Sequence, residues 1–162
     1  DFPNGGIAFV IGNILQQGPR TENSTLLSYG AEGIRNRRTG LFIINNTFVN
    51  THQSGIFIRN RNTTNPVTIV NNIFAGPGKV VSGPATMRSN WNGADPEFIA
   101  PNNYDFRLTA RSPVIDIGTD PGREDDFDLA PTYQYIHPAS VGVRPRSGKL
   151  DIGAYEFHFG KN

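Results

Sequence analysis

Apolar side chains recur two residues apart in four stretches of this chain, and the stretches align on a shared asparagine. The stretch at residues 41–50 (LFIINNTFVN) is matched by residues 8–17 (AFVIGNILQQ), 67–76 (VTIVNNIFAG) and 85–92 (ATMRSNWN). One column holds Ala8, Leu41, Val67 and Ala85; two residues on, another holds Val10, Ile43, Ile69 and Met87. The column between them admits Thr68 and Thr86 beside Phe9 and Phe42, and the next admits Arg88 beside Ile11, Ile44 and Val70. Apolar positions at period two, with a variable column between, predict a strand with one buried face. The two uniformly apolar columns are the expected inner face. A second strand is expected at 24–29 (STLLSY), at 54–60 (SGIFIRN, Ile56 and Ile58 inward, Phe57 and Arg59 outward) and at 79–82.

Every aligned stretch carries an asparagine at one place: Asn13, Asn46, Asn72 and Asn90, in steps of 33, 26 and 18 residues. A strand unit repeating at such intervals, with loops of unequal length between, predicts a solenoid whose units bury their apolar faces only by stacking. Asparagine tolerates left-handed backbone angles and bonds its own backbone, so it can turn the chain at the strand end. Stacked coils lie about 4.8 Å apart, which lets the four amides form a ladder along the axis. Four unrelated turn asparagines are the competing reading, but the flanking columns agree as well.

The repeat stops after Gly93, so the chain divides into coils at 1–93 and a tail at 94–162. An end coil presents unpaired N–H and C=O groups above an open lumen, which a covering segment must satisfy. Within the tail, residues 127–142 (FDLAPTYQYIHPASVG) are aromatic and Pro-rich and are expected to form a packed irregular loop.

The phrases IGNILQQGPRTENSTLLSYGAEG, INNTFVN and VNNIFAG, with the tail elements DFRLTARSPVIDIG and LDIGAYEF, resemble bacterial right-handed parallel β-helix repeat proteins of the pectate-lyase-like superfamily. The resemblance implies an all-β, single-stranded, right-handed parallel β-helix of about four coils with an irregular C-terminal capping tail, 94–162, packed on the last coil and along the side of the helix. It also implies a secreted or cell-surface bacterial protein and a structural or carbohydrate-associated role. The superfamily hosts lyases, hydrolases, epimerases and non-catalytic proteins, so fold alone selects no activity. The insert at 127–142 departs from the usual tail.

Composition narrows this reading. The chain of 162 residues has a formal net charge of +1, which gives no basis for a nucleic-acid partner. Eighteen Gly and twelve Pro make it turn-rich, and 36% apolar residues suffice where only a narrow lumen must be filled. There is no cysteine, so disulfides and thiolate metal sites are absent. No apolar run is long enough to span a bilayer, and these residues contain no signal-peptide pattern. The opening at once in a coil in register reads as the C-terminal part of a longer protein. The first coil is then expected to offer an open strand edge covered by upstream coils, a second chain or another copy, which makes an assembly module a third functional class.

Arg35, Arg37, Arg38, Arg59 and Arg61 recur in two successive coils. They could grip the carboxylates of an acidic polysaccharide, with one acting in a β-elimination, so a polysaccharide lyase is the second functional reading. A solvated face with acidic partners is the competing account. Glu124, Asp125, Asp126 and Asp128 are candidate Ca²⁺ ligands, although their spacing fits no EF-hand loop and a solvated acidic turn accounts for them better. No cofactor is otherwise implied. Asp116 and Asp151, each before an apolar residue and a glycine, are expected to bond backbone at turns. His52, His137 and His158 share no metal spacing and are expected to be ordinary loop or surface residues. The aromatics Phe9, Phe42, Phe57 and Tyr29, taken as outward, could stack on sugar rings; packing under the tail or a loop is the better expectation. No catalytic motif is visible.

Overall fold

Each aligned stretch is bent in the middle, so that it supplies two strands rather than one. In the computed structural model, which describes residues 2–158, the first coil contains β1 (Ile7–Ile11), β2 (Ile14–Gln17) and β3 (Thr25–Tyr29). The second contains β4 (Gly40–Ile44), β5 (Thr47–Asn50) and β6 (Ile56–Asn60). The third contains β7 (Val67–Val70), β8 (Ile73–Ala75) and β9 (Lys79–Ser82), and β10 (Ala85–Arg88) and β11 (Trp91–Gly93) follow. The strands form three parallel stacks, ordered β1-β4-β7-β10, β2-β5-β8-β11 and β3-β6-β9. The chain is therefore all-β, with each full repeat adding one strand to every stack, as in a solenoid. Register agrees with the columns of the sequence: Val10 lies against Ile43, Ile43 against Ile69, and Ile69 against Met87.

The bend arises one residue before the expected place. The left-handed angles fall at Gly12 (φ 69°), Asn45 (φ 51°), Asn71 (φ 57°) and Ser89 (φ 50°). Such angles suit Gly and Asn because a Cβ otherwise crowds the following carbonyl. The next residue, Asn13, Asn46, Asn72 or Asn90, does not make the turn. It turns its side chain inward and bonds its counterpart in the neighbouring coil.

The lumen is filled by Leu27, Leu41, Ile43, Ile58, Val67 and Ile69 together with three rings, Phe48, Phe57 and Phe74. Phe48 stacks on Phe74 at 5.2 Å, and Phe57 meets Phe74 edge-on at 5.3 Å. Burial of each ring contributes about 1.5–3 kcal/mol. Two sequence expectations are corrected here. Phe57 lies inside, not outside, and Tyr29 is buried with its hydroxyl donating to the Gly6 carbonyl at 2.5 Å. Phe9 and Phe42 do lie outside, stacked at 5.3 Å, and Phe127 of the tail covers Phe9 at 4.6 Å.

The tail is irregular over much of its length but not throughout. It contains three short antiparallel pairs: β12 (Phe98–Ala100) with β13 (Asp105–Leu108), β14 (Arg123–Glu124) with β15 (Phe127–Asp128), and β16 (Tyr133–Ile136) with β17 (Ser140–Val143). The last pair replaces the irregular loop expected over 127–142; Tyr133 and Tyr135 face Val143 and Val141 across it. Tail residues Phe98, Phe106, Leu108, Val114, Ile152 and Tyr155 pack on Val49, Ile73 and Ala75 of the second stack. Its middle strands, β5 and β8, are thus buried on both faces, which is why they show no polar alternation. Leu129 packs on Ile44 and Val70 of the first stack. The tail reaches the last coil through Trp91, but Met87, in the inner column, remains 45% exposed. It clads the flank more than it caps the end.

At the other end, residues 2–6 run beside the first coil. Phe2 bridges to Tyr29, and Gly30, Glu32 and Arg35 donate backbone N–H groups to the carbonyls of Phe2, Pro3 and Asn4. β1 and β2 are end strands of their stacks. No helix among the described residues is long and apolar enough to cross a membrane. Asp1 and residues 159–162, the outermost parts of the two expected regions, lie outside the described residues.

Candidate functional site

The paired asparagines divide two structural tasks between them. Asn46 Oδ1 accepts the Asn13 backbone N–H at 2.9 Å, Asn72 Oδ1 accepts that of Asn46 at 2.8 Å, and Asn90 Oδ1 accepts that of Asn72 at 2.8 Å. Side-chain amides link the same residues at 3.2, 3.0 and 3.0 Å. The four form a continuous ladder that satisfies buried donors where the strands break. The preceding residues, Asn45 and Asn71, point outward and hold the tail. Asn45 Nδ2 donates to the Asp151 carbonyl at 2.8 Å; Asn71 donates to the Thr119 carbonyl at 2.7 Å and accepts its N–H at 3.0 Å. Asp151 in turn accepts backbone N–H groups of Asp116 (2.7 Å) and Phe157 (2.5 Å), and Asp116 accepts that of Lys149. These carboxylates are bound up in turns.

The arrangement best suited to a ligand lies in the tail, between the β12–β13 and β16–β17 hairpins and the edge of the first coil. A 3₁₀ turn, Pro101–Asn103, ends at Tyr104, whose backbone is left-handed (φ 61°, ψ 18°). A bulky residue at such an angle is strained, and strain of this kind clusters at functional positions. Tyr104 is 59% exposed. It faces the His137 ring with nearly parallel planes, 14° apart, and centroids 6.5 Å apart. Tyr135 meets His137 edge-on at 6.1 Å. Its hydroxyl donates to the Pro138 carbonyl at 2.6 Å and lies 3.1 Å from His137 Nδ1.

Alternation along β13 sends Phe106 into the tail core, against Phe98, and puts Asp105 and Arg107 together on the other face. Arg107 forks onto Asp105, Nε to Oδ1 at 2.8 Å and the second nitrogen to Oδ2 at 2.6 Å. These bonds hold the Asp105 carboxyl below its ordinary ionisation range and raise the guanidinium. Tyr155 lies beneath, pushed up to about 12 by burial first and by the Asp105 charge second. Two adjoining concavities, about 620 and 360 Å³, share Tyr104, Tyr135 and His137. The larger holds the Asp105–Arg107 pair and Gln134; the smaller is floored by Asn13, Ile14 and Gln16 of the first coil. Sizes of this order suit small ligands.

The arginines and the acidic residues singled out in the sequence as ligand-binding candidates lie elsewhere. None of Arg35, Arg37, Arg38, Arg59 and Arg61 lines this groove. Arg38 pairs with Asp125 at 2.6 Å, both side chains more than two-thirds exposed, as a surface ion pair of little energetic weight. Arg61 uses its backbone N–H on the Tyr29 carbonyl, and Arg59 sits in β6 beside Ser28 and Ser82. Asp128 accepts the Ala130 N–H, and Arg123 donates to the Asp126 carbonyl. Among the described residues, Glu124, Asp125, Asp126 and Asp128 included, no group of His, Cys, Asp or Glu is placed to hold a metal ion. The sequence marks His137 only as an ordinary loop or surface residue and does not single out Tyr104 or Tyr135. The one signal available was the aromatic density of residues 133–137 (YQYIH). No family model, curated protein or solved structure matches the chain.

Proposed function

We propose that this chain is a carbohydrate-associated segment of a secreted or cell-surface bacterial protein. In this reading it is a right-handed parallel β-helix of the pectate-lyase-like superfamily, and it binds glycan without turning it over. The observation that carries the reading is the aromatic groove of Tyr104, Tyr135 and His137, with the Asp105–Arg107 fork at its side. Pyranose rings present apolar C–H faces and polar rims. A site for them needs flat aromatic surfaces flanked by planar hydrogen-bonding groups, and both are present here. The groups best able to do chemistry are already engaged: Arg107 by Asp105, and the Tyr135 hydroxyl by the Pro138 carbonyl. A glycan-array screen of the full chain, with product analysis of every bound glycan, tests the proposal. Binding without cleavage is expected; absence of binding to any glycan overturns it.

A polysaccharide lyase is the second reading. It is favoured by the presence in the groove of two groups that can carry protons, the Tyr135 hydroxyl and His137 Nδ1, 3.1 Å apart. Ultraviolet absorbance of an unsaturated uronate, released from pectate, alginate or a glycosaminoglycan, distinguishes it from simple binding.

A further inference from the structure

Charge is what selects among glycans, and the groove is charge-balanced. Beside the His137 imidazole, its lining contains one carboxylate, Asp105, and one guanidinium, Arg107, and the two neutralise each other through a two-point fork. An acidic glycan needs an unpaired cation. Here it would have to compete with Asp105 for Arg107, and it would meet the Asp105 carboxylate in the same concavity. The arginines that lack acidic partners do not line the groove. A neutral sugar asks for something different. Its hydroxyls donate to a carboxylate and accept from a guanidinium or an amide, and the Asp105–Arg107 pair offers both at fixed geometry. Gln134 adds an amide anchored by its Oε1, which accepts the Glu156 N–H at 3.2 Å.

The aromatic part is built for an apolar ring face. Tyr104 keeps its ring exposed at the expense of a left-handed backbone, parallel to His137. Burying such a surface against a flat ring is favourable, and its two side-chain dihedrals lose little entropy.

We infer that the groove between the β12–β13 and β16–β17 hairpins takes a neutral oligosaccharide, stacked on Tyr104 and hydrogen-bonded by the Asp105–Arg107 pair and Gln134. This rests on the carbohydrate-associated reading and names the class of glycan.

Calorimetric titration of the full chain with neutral hexasaccharides (β-1,4-glucan, xylan and mannan types) and with oligogalacturonate and oligoalginate, at low and high salt, tests it. The expected result is binding of at least one neutral oligomer, little changed by salt, and none of the uronates. Tyr104→Asn keeps a residue that accepts the left-handed angle while removing the ring, so the fold is retained; it should weaken binding by about tenfold. Circular dichroism and the melting temperature check that retention. Uronate binding that collapses at high salt overturns the neutral class and leaves the carbohydrate reading standing. No binding of any oligosaccharide overturns both. Neutral binding that Tyr104→Asn and Gln134→Ala leave unchanged, in folded variants, overturns the groove as its location.

Discussion

Arg144 and Glu156 form an ion pair at 2.9 Å in which both side chains are all but sealed from water. The guanidinium does more than meet the carboxylate. It also donates to the carbonyls of Gly153 and Ala154 (3.1 and 2.8 Å) and of Asp151 and Tyr155 (both 3.2 Å). One side chain thereby organises the segment 151–156 that Asn45 and Thr47 grip from the coils. Burial lowers the Arg144 ionisation and raises that of Glu156, with their mutual attraction opposing both.

Arg144→Met should therefore be strongly destabilising, by about 3–5 kcal/mol, because it leaves a buried carboxylate and several carbonyls without a donor. Urea unfolding measures the loss. Limited proteolysis should show the tail freed before the coils. A loss below about 1 kcal/mol would mean that the pair contributes nothing beyond what water can replace.

Ile43→Asp and Ile69→Asp should each unfold the protein or cost more than about 4 kcal/mol, since both side chains are fully buried in the lumen. Thr68→Asp, on the opposite face of β7, should cost less than about 1 kcal/mol. Thermal melts of the three variants test the register; equal tolerance would displace it by one residue.

Asn72→Ala removes the acceptor of two Asn46 donors and should cost about 1–3 kcal/mol for each buried group left unpaired. Asn45→Gly keeps the permitted backbone angle but loses the bond to the Asp151 carbonyl. It should leave the coil spectrum intact and raise protease cleavage within the tail. Identical phenotypes for the two variants would contradict the division of tasks between the paired asparagines.

Tyr155 supplies an alkaline signature. Its folded-state value of about 12 lies above the ordinary 10.0, so the unfolded chain ionises first. The stability it contributes is present below pH 10 and is lost as pH rises towards 12, by up to about 2.7 kcal/mol. The parent should lose stability over that window more steeply than Tyr155→Phe. Asp105 has the opposite sign: its value is lowered by Arg107, so its contribution holds at neutral pH and fades as pH falls below the ordinary 3.8. Asp105→Asn should flatten the acid limb, read from melting temperature against pH.

The repeat was legible because its physics is local. Period-two columns such as Leu41 with Ile43, and Val67 with Ile69, can face only one buried side, and asparagines at matching positions stack once the strands do. From those residues alone follow the parallel stacks, their register and the ladder. The second stack was less legible: Thr47–Asn50 is buried on both faces, and without alternation it reads as part of the same strand as Leu41–Ile44. The orientations of Phe57 and Tyr29 followed from how three strands close around a lumen, which no single strand records. The groove was the least legible part. Tyr104, Asp105 and Arg107 lie about thirty residues from Tyr135 and His137, on separate hairpins whose approach depends on tail packing against Val49 and Ile73. What the sequence by itself determined was which columns of side chains, and which asparagines, lie against one another from coil to coil. Which remaining side chains meet one another was decided by the tertiary structure, because that depends on where the tail's apolar residues find a surface to cover.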